Sequence, residues 1–139
     1  MNEVTQDYAK RCRPGLTLSF DQIAPGKASL SSAERQRDEA GRLGKRAREH
    51  PFVVTLDERG ETLTSQTLAR RLDGLRHEYR QIAVLIGGAD GFEDGFTATH
   101  NASWSLSAMT LPHLIVQVVL AEQLYRAWTI IHGHPYHRD

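Results

Sequence analysis

Two runs of consecutive apolar, largely β-branched residues stand out along the chain. They cover residues 52–56 and 82–86, and each is typical of a strand buried on both faces of a mainly parallel sheet. Residues 16–20 instead alternate apolar and polar side chains, which predicts a strand with one buried face. We interpret residues 104–107 as one more short strand. The polar residues 57–60 predict a loop directly after the first buried run.

Two helices are predicted before the first buried strand. Residues 2–12 form the first of them, and it ends at a Pro-Gly pair, because proline cannot continue a helix. Ser31 with Glu34 three residues later matches a capping box, in which each side chain accepts the other residue's backbone N–H. A polar helix that runs to about residue 49 follows this box. Its few apolar residues predict a position at the surface.

Two further helices are predicted in the rest of the chain. Thr64 or Ser65 caps the first, in which leucines recur at spacings of four and three residues. Residues 114–131 form the second, because apolar residues recur there at helical spacing over a stretch far longer than a typical strand. Strands that alternate with helices predict an α/β fold, with residues 1–139 as a single domain.

Charge and cysteine content narrow the function classes. The chain carries 17 basic and 17 acidic residues, which argues against coating nucleic acid by bulk charge alone. Two local basic clusters, residues 10–13 and 42–48, are either solvated helix faces or phosphate-facing edges. A single cysteine, Cys12, excludes a disulfide scaffold and indicates a reducing compartment. We find no secretory signal and no bilayer-spanning run, so we expect a cytoplasmic protein that does not associate with a membrane.

Ligands of open α/β sheets bind beyond the carboxyl ends of the strands. Three segments meet that description here: residues 55–57, 87–91 and 106–111. The glycines of the second segment let backbone groups approach a ligand closely, because no Cβ stands in the way. Their spacing matches neither a dinucleotide fingerprint nor a phosphate loop, so taken alone they indicate only a tight turn.

The last eight residues, 132–139, hold three histidines, a tyrosine, an arginine and an aspartate. Three interpretations stay open from the residues alone: a metal site, a solvated terminus, or a tail that is catalytic or contacts RNA. The metal site is the weakest of the three, because the spacing lacks a helical i,i+4 histidine pair and includes a proline. Glu122, inside the apolar helix, is either exposed or hydrogen-bonded at an interface.

Four motifs in order carry a resemblance to a known family. The chain reads LIGGADG at 85–91, WSLSAMTLPH at 104–113, AEQLYRAW at 121–128 and HPYHR at 134–138. In this order the motifs resemble the ribosomal RNA large subunit methyltransferase H family, of the SPOUT class. The resemblance covers nearly the whole chain.

The resemblance implies a mainly parallel sheet flanked by helices, with a trefoil knot in the C-terminal half. It also implies transfer of a methyl group from S-adenosyl-L-methionine to N3 of a pseudouridine in large-subunit ribosomal RNA. The substrate would be the assembled ribosome, the enzyme would be a homodimer, and no metal would be needed. Such an enzyme needs only modest basic patches, because the ribosome also offers shape and protein surfaces.

Site residues follow from the same resemblance. The implied cofactor-binding residues are Leu56, Gly87, Gly88, Leu106, Ser107, Ala108, Met109, Thr110 and Leu111. Tyr136, His137 and Arg138 are implied in the active site, reaching across the dimer. We hypothesise that His137 handles the imide proton while Arg138 anchors RNA or stabilises the developing anion.

Two rival functions stay open, and the chain departs from the family pattern at one point. The rivals are a non-catalytic RNA- or ribosome-binding module of the same fold, and a metal-dependent hydrolase that uses the C-terminal histidines. Family members carry an additional first strand before the helix that opens this chain. We expect its absence to leave an exposed gap in the sheet and to lower thermal stability relative to a version that carries the strand.

Overall fold

Three parallel strands form a sheet at the centre of the chain. The structure is a computed structural model, and it describes residues 3–12, 15–24, 26–88 and 90–138. The strand order is β2-β1-β3, with both neighbours parallel to the central strand. In chain order the elements are α1 (Glu3–Arg11), α2 (Ser32–Ala47), β1 (Phe52–Thr62), α3 (Ser65–Glu78), β2 (Ile82–Ile86), a 3₁₀ turn (Thr97–Thr99), β3 (Ala102–Ser105) and α4 (His113–Ile131).

The two buried apolar runs are confirmed as strands. The second coincides with β2, and the first pairs with it from Phe52 opposite Ile82 to Leu56 opposite Ile86. The predicted loop at 57–60 is wrong, because β1 continues to Thr62 with a shift in register against β3. Polarity misled the prediction there, since the C-terminal half of β1 is irregular and carries exposed polar residues.

The central strand depends on a glycine where it changes register. A Cβ at Gly60 would lie 2.8 Å from the backbone of Ser103 in β3, well inside any ordinary contact distance. Glycine therefore lets the two backbones approach where the pairing is irregular.

The predicted strand at residues 16–20 is wrong. These residues do not form a strand, although Leu16, Leu18 and Phe20 are half-buried and the polar residues between them are exposed. The alternation thus reflects an extended segment that turns one side toward the protein, with Leu18 packed on the core. Period-two patterning reports burial of alternate side chains, but a strand also needs a hydrogen-bonded neighbour.

The helix starts follow the predicted caps. At α2 both halves of the capping box form: Ser31 Oγ accepts from the Glu34 N–H at 3.2 Å, and Glu34 Oε1 accepts from the Ser31 N–H at 3.3 Å. At α3 the cap is Thr64, whose Oγ1 accepts from the Thr67 N–H at 3.1 Å. The side chains thereby satisfy amides that the first helical turn leaves without partners.

Two apolar clusters cover the two faces of the sheet. Val54 and Leu56 face a cluster that includes residues of α3 and α4, such as Leu68 and Leu124. Val53 faces a smaller cluster on the other side, because successive strand residues point to opposite faces. The predictions of an α/β fold and a mainly parallel sheet are confirmed.

Helix α4 is apolar along most of its length. By length and hydropathy it passes a test for membrane-crossing helices, contrary to the expectation from sequence. It packs against both α1 and α3, and Leu120, Leu124 and Ala127 belong to the larger core cluster. Only 33% of its most apolar 18 residues are buried, and Leu114 and Ile115 in the first turn are exposed, so packing within the chain accounts for only part of its apolar composition.

Candidate cofactor and active site

The carboxyl ends of β2 and β3 lie beside Leu56 of the central strand β1, which itself continues to Thr62. Leu56 lies between Ile86 of β2 and Trp104 of β3. The segments that follow β2 and β3 therefore begin side by side at what we call the strand-end edge, made of Leu56 and of residues 86–88, 90–92 and 105–111. The three segments predicted to form a ligand crevice converge here.

A cavity of about 280 Å³ lies beside this edge, between the sheet and helices α3 and α4. Leu56, Trp104 and Leu106 supply apolar walls, and Ser65 and Gln123 supply polar groups. The Ser65 hydroxyl donates to Gln123 Oε1 at 2.6 Å. Apolar walls with a few fixed hydrogen-bonding groups are typical of small-molecule sites. Of the predicted cofactor residues, Leu56 and Leu106 line this cavity.

The glycine loop after β2 makes a tight turn. Gly91 N–H donates to the Gly88 carbonyl at 3.0 Å, and Gly91 has a φ of +75°, a conformation that favours glycine. His113 at the start of α4 binds the loop from outside, with Nδ1 2.8 Å from the Gly87 oxygen. Because a carbonyl only accepts, Nδ1 of His113 carries the proton. Sequence reasoning did not assign His113 a role, although it closes the second motif.

The segment after β3 is fastened by its own hydroxyl groups. Ser105 Oγ donates to the Ser107 carbonyl at 2.8 Å, and Ser107 Oγ accepts from the Met109 N–H at 3.0 Å. Thr110 Oγ1 donates to Glu58 on β1 at 2.7 Å. Ala108 and Met109 are exposed, while Ser107 and Leu111 are half-buried. Ser105 lines the cavity, whereas residues 107–111 belong to the strand-end edge and do not line the cavity.

The C-terminal tail folds back onto α4, where four side chains form what we call the tail network: Glu122, Arg126, Tyr136 and His137. Glu122 Oε1 accepts from Arg126 Nη2 at 2.7 Å and from the Tyr136 hydroxyl at 3.1 Å. The Arg126 guanidinium lies 4.8 Å from the centroid of the Tyr136 ring, in reach of a cation–π interaction. Glu122 is thus hydrogen-bonded rather than exposed, which decides the alternative that the sequence left open.

Protonation states in the tail network follow from these contacts. Burial, a hydrogen bond with Tyr8 and the nearby Glu122 charge raise the pKa of Tyr136 to about 12, so its phenol is neutral at physiological pH and donates. Arg126 Nη1 lies 3.1 Å from His137 Nδ1. Because a guanidinium has donors only, that nitrogen accepts and the ring proton lies on Nε2. His137 must leave Arg126 before Nδ1 can take a proton.

The tail network and the glycine loop lie apart within one chain. His113, which holds Gly87, and Glu122, which holds Tyr136, are nine residues apart on α4, or about 14 Å along the helix axis. The tail network is connected to the cavity through Gln123. Its Nε2 donates to Glu122 at 2.8 Å, and the same residue lines the cavity wall. Arg138, the third predicted active-site residue, is exposed.

The C-terminal histidines bind different protein groups. His132 Nδ1 lies 2.9 Å from the Trp128 oxygen, while His137 contacts Arg126. Within residues 3–12, 15–24, 26–88 and 90–138, no group of three or more His, Cys, Asp or Glu side chains is arranged to hold a metal ion. The donor arrangement therefore gives the hydrolase interpretation no support.

Comparison with known proteins identifies the class. A family model described as "Predicted SPOUT methyltransferase" matches residues 1–137. The chain belongs to this SPOUT methyltransferase family, and it is therefore an enzyme of the methyl-transferring class.

Curated relatives bear a more specific name, "Ribosomal RNA large subunit methyltransferase H". One from Alkalilimnicola ehrlichii is 43% identical over 96% of this chain and 86% of its own length. Others from Polynucleobacter asymbioticus and Methylococcus capsulatus are 44% and 42% identical, over 97% and 99% of this chain and 87% and 90% of their own lengths. The resemblance drawn from the four motifs is confirmed.

Proposed function

We propose that the chain methylates N3 of a pseudouridine in large-subunit ribosomal RNA, with S-adenosyl-L-methionine as the methyl donor. The observation that carries the proposal is the convergence of Leu56, the glycine loop and Leu106 at the strand-end edge. The names of the relatives support ribosomal RNA as the substrate. We further propose one domain over residues 1–139, a C-terminal trefoil knot and a cytoplasmic location, all implied by the family resemblance.

The strand-end edge fits a methyl donor of this kind. The cavity beside it has both apolar walls and fixed polar groups, which suits a ligand that has both apolar and hydrogen-bonding parts. A Cβ at Gly87 would lie 3.1 Å from the Gly91 carbonyl carbon, so a larger residue there would push the turn apart by a few tenths of an ångström. In this proposal Leu56, Gly87 and Gly88 hold the cofactor together with Leu106, Ser107, Ala108, Met109, Thr110 and Leu111. When bound, the cofactor supplies a methyl group on a sulfonium leaving group.

The tail residues would act on the nucleotide. The pseudouridine N3–H is a poor nucleophile until its proton leaves, so a base or a cation near the forming anion accelerates transfer. We assign proton removal to His137 Nδ1 once the ring has left Arg126, and we assign anion or phosphate binding to the exposed Arg138. Tyr136 remains neutral and donates to Glu122, which orients the tail.

We propose that a second copy of the chain completes the site. Within one chain the tail network and the glycine loop lie apart along α4, so a homodimer lets one tail serve the partner's cofactor site. Three large apolar side chains near the strand-end edge are exposed: Met109, Leu114 and Ile115, at 74%, 54% and 45%. Such a patch is typical of a surface that another protein covers.

Calorimetric titration of the purified chain with S-adenosylmethionine and S-adenosylhomocysteine tests the proposed cofactor. We expect saturable binding with one site per chain or per dimer. A folded chain that binds neither compound would contradict the proposal and would favour the non-catalytic binding module.

Transfer of a labelled methyl group tests the substrate. We expect incorporation into assembled ribosomes that carry the unmethylated pseudouridine, and none into ribosomes that carry uridine at that position. Equal incorporation into both would contradict N3 of pseudouridine as the target. Isolated large-subunit RNA in a parallel assay reports whether the assembled particle is required.

A further inference from the structure

Helix α2 holds the far side of the glycine loop. Arg35 makes two contacts with the Asp90 carboxylate, from Nε at 2.9 Å and from Nη2 at 3.3 Å. Gln36 Nε2 donates to the Asp90 backbone oxygen. Neighbouring residues on one helix therefore fix both the side chain and the backbone of the residue that lies two positions after Gly88.

Glu39, one turn further along α2, is the residue that contacts the loop glycine itself. It is only 9% exposed, and its Oε2 accepts from the Gly26 N–H at 2.9 Å. A Cβ at Gly88 would collide with Glu39 Oε1, so the carboxylate would have to shift against its hydrogen bond to Gly26. The carboxylate is thus held between two glycine backbones, one in the segment before α2 and one in the glycine loop.

Burial of the Glu39 carboxylate lowers the stability of the fold, which indicates that this side chain does more than fill space. Glu39 Oε1 is buried and has no hydrogen-bond partner among the residues that the structure describes. A buried acceptor without a donor lowers stability, and apolar side chains of similar size avoid that loss. A carboxylate that is fixed by one backbone amide and pressed against Gly88 instead limits how far the loop can move toward α2.

We propose that Glu39 is a positioning residue for the glycine loop, and that a Cβ at position 88 would displace its carboxylate from that position. The inference rests on the proposed function, because it assigns the loop to the methyl donor. Glu39 does not touch the cofactor in this proposal; it sets the backbone position of Gly87 and Gly88, and α2 thereby becomes part of the cofactor site.

Cofactor affinity of four variants tests the inference: Glu39→Ala, Glu39→Gln, Gly88→Ala and the double variant Glu39→Ala/Gly88→Ala. We expect Glu39→Ala and Gly88→Ala each to weaken S-adenosylhomocysteine binding by about tenfold in calorimetry. Glu39→Gln should stay within about threefold of wild type, because its amide oxygen still accepts from Gly26. In the Glu39→Ala background, Gly88→Ala should cost less than about threefold, because the side chain it would strike is gone.

Matched controls separate positioning from general destabilisation. Gly41→Ala changes a glycine on the same helix where a Cβ meets nothing within 4 Å, and Glu49→Ala removes an exposed carboxylate. Both should bind as the wild type does. All titrations are run well below the Tm of the least stable variant, with circular dichroism confirming the fold.

Failure of this inference can be distinguished from failure of the proposed function. If the wild-type chain binds no cofactor, the proposed function fails before any variant is compared. If the wild type binds and the losses of the two alanine variants multiply to about 100-fold in the double variant, the two residues act independently. That result, or wild-type affinity of Glu39→Ala, would overturn the inference alone.

Discussion

The strand-end edge and the tail network are built by different kinds of interaction. At the edge, parallel pairing and bare glycine backbone bring three segments together, with few ionisable groups among them. In the tail, charged and aromatic side chains hold a chain terminus onto one helix. Sheet register is rigid and cooperative, whereas a side-chain network loses its arrangement when one partner is removed. We therefore expect cofactor affinity and turnover to respond to different substitutions.

The largest effect is expected from damage to the core under the strand-end edge. Leu56→Ala removes a buried side chain shared by the core and the cavity wall, and we expect a loss of about 2–4 kcal/mol in the free energy of unfolding. Cofactor affinity should fall with it. Denaturant unfolding and calorimetry measure the two, with the exposed Val4→Ala as control. Unchanged affinity in a destabilised Leu56→Ala would place the cofactor elsewhere.

Removal of the central acid of the tail network should separate turnover from cofactor binding. Glu122→Ala leaves the partly buried Arg126 without its carboxylate and removes the carboxylate to which Tyr136 donates, which should cost about 1–3 kcal/mol of stability. Methyl transfer should fall by about tenfold or more while the cofactor Kd stays within about threefold of wild type. Glu78→Ala, at an exposed glutamate on α3, is the control. Equal losses in both quantities would show that edge and tail form one unit.

The proton-handling role of His137 predicts a difference in pH profile. The pKa of Tyr136 is raised to about 12, so its phenol does not titrate between pH 6 and 9. Tyr136→Phe should lower the rate a few-fold through loss of a hydrogen bond worth about 1 kcal/mol and should keep the shape of the profile. His137→Ala should flatten the profile and lower the rate by about 100-fold. Full rate in His137→Ala would remove it as the proton acceptor.

We expect the smallest effect on the side of the strand-end edge that faces α2, where acidification should remove a stabilising interaction of Asp90. A hydrogen bond from Arg35 holds the pKa of Asp90 below its ordinary value. A lowered folded-state pKa gives stabilisation that is present above the unfolded value of about 4 and is lost as pH falls through the lowered value. The Tm of Asp90→Asn should therefore lie slightly below that of wild type at pH 7. The two should converge below about pH 4, and a constant gap down to pH 2 would contradict this assignment.

Local rules predicted most of the elements. The apolar runs at 52–56 and 82–86 became strands, and the caps at Ser31 and Thr64 start their helices, because these features depend on neighbouring residues. The strand predicted at 16–20 failed for lack of a hydrogen-bonded neighbour, which no local pattern reports. The loop predicted at 57–60 failed because partner strands, rather than polarity, decide where β1 ends.

The meeting of the segments that form the candidate site also followed from the sequence. The rule for ligand crevices brought the segments around Leu56, Gly87 and Leu106 to one edge, since parallel strands end on the same side. The residues that hold this edge could not be predicted, because His113 and Glu39 are distant in sequence from the glycines they contact. The role of Glu122 had a visible clue, a lone carboxylate four residues before Arg126 in an apolar helix.

The sequence by itself thus determined the fold class, the family and the order of the helices and strands from α2 to α4, because periodicity, caps and motifs depend on neighbouring residues. Only the tertiary structure decided which groups meet. Chain reversal brings Tyr136 back to Glu122, and the packing of α2 puts the Glu39 carboxylate against Gly88. Such contacts depend on distances between residues far apart in the chain, which packing of the whole core sets.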